Sequence, residues 1–335
     1  MKQRGFNLIE LMIGMVIGLF IMAGVINLFI SNRQTFQSNQ GIFQIQESMR
    51  MAFEILSRDL RHTGFTPCGN NGNRVANVLN PMPANGNLLT WVGGLRGADG
   101  DTAITPVVTG TGTGQRVAGT SAVLVQGVEG SDRTVQMHTT TGTPRFTLFP
   151  DASTNFAAGD ILMVCDTQQA TIFQTSQVTA NEIRYVINGG FTPGNCQVAL
   201  GALGGCAATP SYLAFNPNAN ITRFMSAIWY VGNNGRPEDG GRSLFRARVN
   251  NNGQVITEEI VAGVSNLNLS YHRGNTTTWD SANTIETANA WNGVNALRLQ
   301  MTLISAEKNV STDRSINDGR LQRSFTQIIA LRNRI

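Results

Sequence analysis

Between Leu11 and Ile26 no polar side chain interrupts the apolar run, and from there to His62 the apolar positions change from continuous to periodic. Ile42, Ile45, Met49, Ala52 and Leu56 follow alternating spacings of three and four, with Phe53 and Leu60 widening the stripe, so one face of a helix is apolar. No proline lies between Ser31 and His62, and Gly64 is a stop signal. The pattern predicts a single helix from about Phe6 to Thr63, loosened locally at Gly41. On its polar side Arg50 with Glu54, and Glu54 with Arg58, stand four apart and can pair. Downstream the period changes to two. Strands are predicted over 121–128, 134–138, 146–149, 160–166, 170–178 and 183–187, and over 221–231, 243–249, 254–261, 267–272, 296–305 and 323–332. Residues 66–119, rich in Gly, Asn, Pro and Thr, are expected to form a long loop region with one or two short strands. The fold class is therefore α+β, a long hydrophobic-then-amphipathic helix packed on a mainly antiparallel sheet.

Composition narrows this further. Of 335 residues only 14% are charged while 36 are glycine, which suits an exported, turn-rich β region. The net charge of +4 is scattered and requires no nucleic-acid partner. Lys2 and Arg4 precede the apolar run, which sets the amino end on the cytoplasmic side and the bulk of the chain across the membrane. From Phe6 to Ile30 a helix spans roughly 36 Å, against a hydrocarbon core of ~30 Å. No small-residue cleavage site follows the run as it would in an ordinary secretory signal. Cys68, Cys165, Cys196 and Cys206 are an even number in a chain expected outside the cytoplasm, so two disulfides are expected from three possible pairings. The pairing Cys68 to Cys165 would tie the helix exit to a sheet strand, and Cys196 to Cys206 would close a short Gly-rich loop.

Glu10 is the exception within the apolar stretch. A carboxylate there costs about 2.5 to 3.5 kcal/mol at mid-bilayer, less near an end, and marks a partner. Cleavage between Gly5 and Phe6 would place the α-amine of Phe6 about one turn from it. A short basic leader ending in Gly5, then Phe6, then Glu10 resembles the class III signal of type IV prepilins and pseudopilins. The resemblance implies a prepilin peptidase that cuts after Gly5 and methylates Phe6, with Glu10 serving assembly. The segment 50–65, with Leu56-Ser57-Arg58-Asp59-Leu60-Arg61 before Gly64-Phe65 and Cys68, is similar to the helix end of PilW-type minor pilins, and 258–271 and 328–334 resemble the sheet and carboxyl end of PilW-type and J-type pseudopilin domains. That resemblance implies a division into a leader (1–5), a transmembrane or filament-core helix (6–30), its amphipathic continuation (31–64) and a β-rich head (65–335). It further implies an inner-membrane location before assembly, then a pilus on the cell surface. The implied partners are other minor and major pilins, the prepilin peptidase and the inner-membrane assembly platform.

Catalytic and ligand motifs are sparse. There is no H-E-x-x-H, no G-x-S-x-G elbow and no C-x-x-C, and of the three histidines, His62, His138 and His272, only His62 lies near a cysteine in sequence, so no zinc site, cofactor or enzyme activity is expected. Gly110-Thr-Gly-Thr-Gly114 lacks the strand and helix that would bracket a phosphate loop. A secretion pseudopilin and a ligand-binding tip subunit are the competing readings, with an anchored periplasmic enzyme behind them.

Overall fold

The structure, a computed structural model, describes residues 8–69, 74–150, 155–250, 253–274, 276–311, 313–315 and 317–334. It opens with α1, Leu8–Arg61, a helix of 54 residues and about 80 Å in length. Arg58 and Arg61 in its last turn complement the negative end of the helix dipole. Gly64 takes a left-handed φ of 69° and donates its N–H to Gln126 O at 2.8 Å, which ends the helix against the sheet. That approach requires glycine on the other side too: a Cβ on Gly127 would lie 2.2 Å from His62 O, and one on Gly94 2.6 Å from Gly64 Cα.

The strands follow as β1 (Val75–Asn77), β2 (Leu95–Ala98), β3 (Ala122–Thr139), β4 (Arg145–Leu148), β5 (Ile161–Cys165), β6 (Ala170–Gln174), β7 (Gln177–Val178), β8 (Glu182–Arg184), β9 (Asn220–Asn233), β10 (Arg242–Val249), β11 (Val255–Ala262), β12 (Val264–Arg273), β13 (Trp279–Asp280), β14 (Val294–Ile304) and β15 (Gln322–Ala330), with a short α2 at Ala282–Thr287. Among the described residues they form two sheets. One has the order β1-β6-β5-β9-β3-β4-β8-β7, with β2 beside β3 and the β10–β11 hairpin beside β9; the other has the order β13-β12-β14-β15. All described strand pairs are antiparallel except β1 with β6. Two of the predicted strands, 121–128 and 134–138, are one continuous strand, β3, whose register against β9 shifts between Glu129 and Arg133, where Gly130 has a φ of 90°. The loop region 66–119 carries the short strands β1 and β2, while Leu88 ends a 3₁₀ turn.

The inner face of α1 lies across β11, β14 and β15. Ile45, Ala52, Leu56 and Leu60 enter one core with Val125, Trp229 and Leu244 of the first sheet and Leu267, Leu299 and Met301 of the second, so the helix seals the seam between the two. Gly41, expected to loosen the helix, is instead a point of close approach: a Cβ there would meet Leu321 Cδ1 at 3.2 Å and Ser305 Cβ at 3.3 Å. Neither of the two charged pairs expected on the outer face forms; Arg58 lies 3.9 Å from Asp59. Asp59 itself turns inward and is buried, accepting the Trp229 indole N–H at 3.1 Å with the Arg246 guanidinium 3.5 Å away. Arg246 also covers the Trp229 ring, 5.6 Å from its centroid. A largely buried carboxylate is stabilised by such additional hydrogen bonds.

A separate core around β4, β5, β6 and β8 holds Phe146, Phe173 and Tyr185. His138 stacks on Phe146 at 4.2 Å and accepts the Phe215 N–H on Nδ1 at 3.0 Å, so its Nε2–H donates to Tyr185 Oη at 2.7 Å. Burial pushes this imidazole down from 6.5 to about 4. The unfolded chain therefore binds the extra proton first. The neutral imidazole's contribution is complete above about pH 6.5 and shrinks as pH falls toward 4. The full shift corresponds to an upper limit of about 3 kcal/mol, and partial exposure of the ring reduces this to about 2. His138→Gln keeps an acceptor for Phe215 but cannot titrate in this range. The wild-type minus variant stability, from urea unfolding, is expected to fall by about 2 kcal/mol between pH 7 and pH 4.5; parallel pH profiles would show that His138 is not the titrating group.

Candidate functional site

Every residue of α1 from Leu8 to Ile30 is exposed, with no part of the globular region against it. This is one helix long and apolar enough, by length and composition, to cross a membrane. Nothing approaches within 4 Å of where a Cβ would stand on Gly14, Gly18 or Gly24, so Gly14 and Gly18, which stand four apart as a G-x-x-x-G, face open space. Glu10 sits in the first described turn and projects from this apolar surface. Gly5 and Phe6, the expected processing residues, lie outside the described residues.

A pattern missed in the sequence becomes plain on the helix. Leu8, Met15, Met22, Phe29, Phe36 and Phe43 stand seven apart, all exposed, and form one slowly turning stripe. Phe36 and Phe43 lie beyond the apolar run, at 69% and 70% exposure, on the side of the helix turned away from Gly41 and Ile45. The spacing itself was the available signal. Asp59 was also legible in principle, because an acid in the last helical turn opposes the dipole and needs a compensating partner.

The disulfides join Cys68 to Cys165 and Cys196 to Cys206, and there are no free cysteines. The first fastens the chain just past α1 to β5, a strand flanked by β6 and β9. The second closes a ten-residue separation beside β1: Cys196 N–H donates to Val78 O, and Cys206 Sγ lies 3.1 Å from Leu79 O.

Of the concavities near the far end of α1, two draw their lining from several elements. A groove of about 340 Å³ is lined by Arg58, Arg223, Arg246 and Arg248, but Asp59, Asp160 and Glu258 pair with them and Glu129, also in the lining, supplies a fourth carboxylate. Glu258 is held below the usual carboxylate range by its hydrogen bond from Arg248. The groove thus carries no standing charge excess for an anion. The second, of about 290 Å³, is lined by Val92, Gly93, Arg96, Glu286, Asn289, Trp291 and Asn292. Among the described residues no group of three or more His, Cys, Asp or Glu side chains could hold a metal ion.

Residues 1–26 match the family described as the prokaryotic N-terminal methylation motif. Neither a curated protein nor a solved structure matches the chain. With an exposed apolar helix leading into a mainly antiparallel β region, the motif supports a type IV pilin-like or pseudopilin-like protein, one whose assembly partners are pilins and a prepilin peptidase in general terms.

Proposed function

We propose that the chain is a minor pilin, a structural subunit that starts or caps a type IV pilus through its stem, and that its globular region faces the periplasm before assembly. The observation that carries this is the stem: an apolar helical surface exposed along its whole length, within the matched motif and beyond it. In the bilayer that surface already touches lipid, so moving it into a helical bundle gains packing rather than hydrophobic free energy. Phe36 and Phe43 differ. They lie roughly 9 and 20 Å past Ile30, in water in the free subunit, and burying each contributes about 1.5 to 3 kcal/mol. Glu10 adds register, because a carboxylate in an apolar bundle is stabilised only where an amine, its own or a neighbour's, comes within reach.

The mature chain is expected to begin at Phe6 with a methylated amine, as intact mass from the native host would read. A mature protein that begins at Met1 removes the stem from this role.

Complementation of a deletion strain then tests assembly. Wild-type protein restores surface filaments, Glu10→Ala at matched levels restores fewer, and Phe36→Ser with Phe43→Ser lowers filament number at least severalfold, with membrane insertion unchanged in all three. A deletion strain that keeps normal filaments but loses type II secretion would assign the stem to a pseudopilin. Normal filaments and normal secretion together would end the assembly reading.

A further inference from the structure

The pocket of about 290 Å³ beside the end of α1 is built from two segments far apart in the chain. One is the entry to β2: the Gln126 side chain is buried, accepts the Val92 N–H at 2.9 Å and donates to the Asn87 and Thr90 carbonyls, which fixes the wall at Val92. The other is the end of α2 and the turn after it. Glu286 joins the two, accepting from the Arg96 guanidinium and from the Trp291 indole N–H at 2.6 Å, while Trp291 is braced edge-on by Tyr271 at 5.0 Å. Gly94, next to the pocket wall, packs on Gly64, so the pocket opens at the end of the globular region remote from the stem.

The lining defines the ligand chemistry. Arg96 and Glu286 neutralise one another, so neither an anion nor a cation is favoured over a neutral molecule. Asn289 and Asn292 are exposed at the rim, and each amide both donates and accepts, as a hydroxyl does. Val92 and Trp291 add an apolar wall for a C–H face. The volume lies just under the usual range for small-molecule sites and suits a ligand of about one six-membered ring. We infer that this pocket binds a neutral carbohydrate, one pyranose unit engaging Asn289, Asn292 and the Arg96–Glu286 pair. The inference does not depend on the filament role, because it concerns the isolated subunit.

The test is saturation-transfer NMR on the full chain in a zwitterionic micelle free of sugar headgroups, with glucose, galactose, N-acetylglucosamine and, as a charged comparison, N-acetylneuraminic acid as probes. At least one neutral sugar is expected to bind saturably with a Kd of about 1 mM. Asn289 has a left-handed φ of 46°, so Asn289→Gly removes the amide while keeping a backbone that glycine adopts freely. This variant, and separately Asn292→Ala, should weaken binding at least tenfold with unchanged melting temperature. Absence of saturable binding by every neutral sugar, tighter binding of N-acetylneuraminic acid than of all of them, or undiminished binding by both variants overturns the assignment.

Discussion

Arg116→Met is expected to destabilise the globular region by about 3 to 5 kcal/mol, the largest loss for any single side chain considered. Arg116 is fully buried, and among the described residues no carboxylate accepts a hydrogen bond from it; its acceptors are the carbonyls of Ala98, Gly100, Thr102 and Thr120. Asp99 and Asp101 hold the charge from a distance, against a burial effect that lowers its pKa. Methionine fills much of the volume but leaves four carbonyls without their donor, and those of Ala98 and Thr120 belong to buried residues. An unsatisfied buried acceptor costs about 1 to 3 kcal/mol. Thermal unfolding of the full chain should show a fall of roughly 5 to 15 °C in Tm. Arg116→Lys keeps the charge without the fork and should fall between the two. A loss under about 1 kcal/mol for Met would mean that these carbonyls find water instead.

The second large effect separates the two disulfides. Cys68–Cys165 spans 97 residues and Cys196–Cys206 spans 10. Because cross-linking removes conformations from the unfolded chain, removal of the first should cost about 4 to 5 kcal/mol and of the second about 2 to 3. Paired substitutions Cys68→Ala with Cys165→Ala, and Cys196→Ala with Cys206→Ala, avoid placing a hydroxyl on β5, where Cys165 is fully buried. Equal losses, or a greater loss for the short loop, would refute loop entropy as the main term.

Much of this fold was legible because local pattern and tertiary role agree. The inward positions of α1 that the three-and-four spacing picks out, Ile45, Ala52, Leu56 and Leu60, are the ones in the core. The run Ile161-Leu-Met-Val-Cys165 between turn residues forms β5. What stayed hidden depends on partners distant in sequence. Asp59 faces inward only because Trp229 and Arg246 are there to meet it. The path of 87–120 is set by the buried side chains of Arg116 and Gln126 capturing backbone carbonyls, which no periodicity announces. The pocket is invisible for the same reason, since Arg96 and Glu286 meet only when the two sheets do. At the stem the limit was different: an all-apolar run conceals its own geometry, and the seven-residue stripe emerges only where Phe36 and Phe43 continue it among polar neighbours.

The fastening of α1 also determines how the molecule carries load. A pull on the stem enters at the Leu8 end, whereas the strongest attachments, Asp59 to Trp229 and Arg246, Gly64 to Gln126 and the Cys68–Cys165 bond, gather at the opposite end. The segment from Gly41 to Leu60 lies between them along the seam of the two sheets. Tension directed along the helix axis is therefore resisted in shear, with the Ile45, Ala52, Leu56 and Leu60 contacts sharing it, and cannot peel them away one at a time from the loaded end without first sliding the whole segment against a covalent stop.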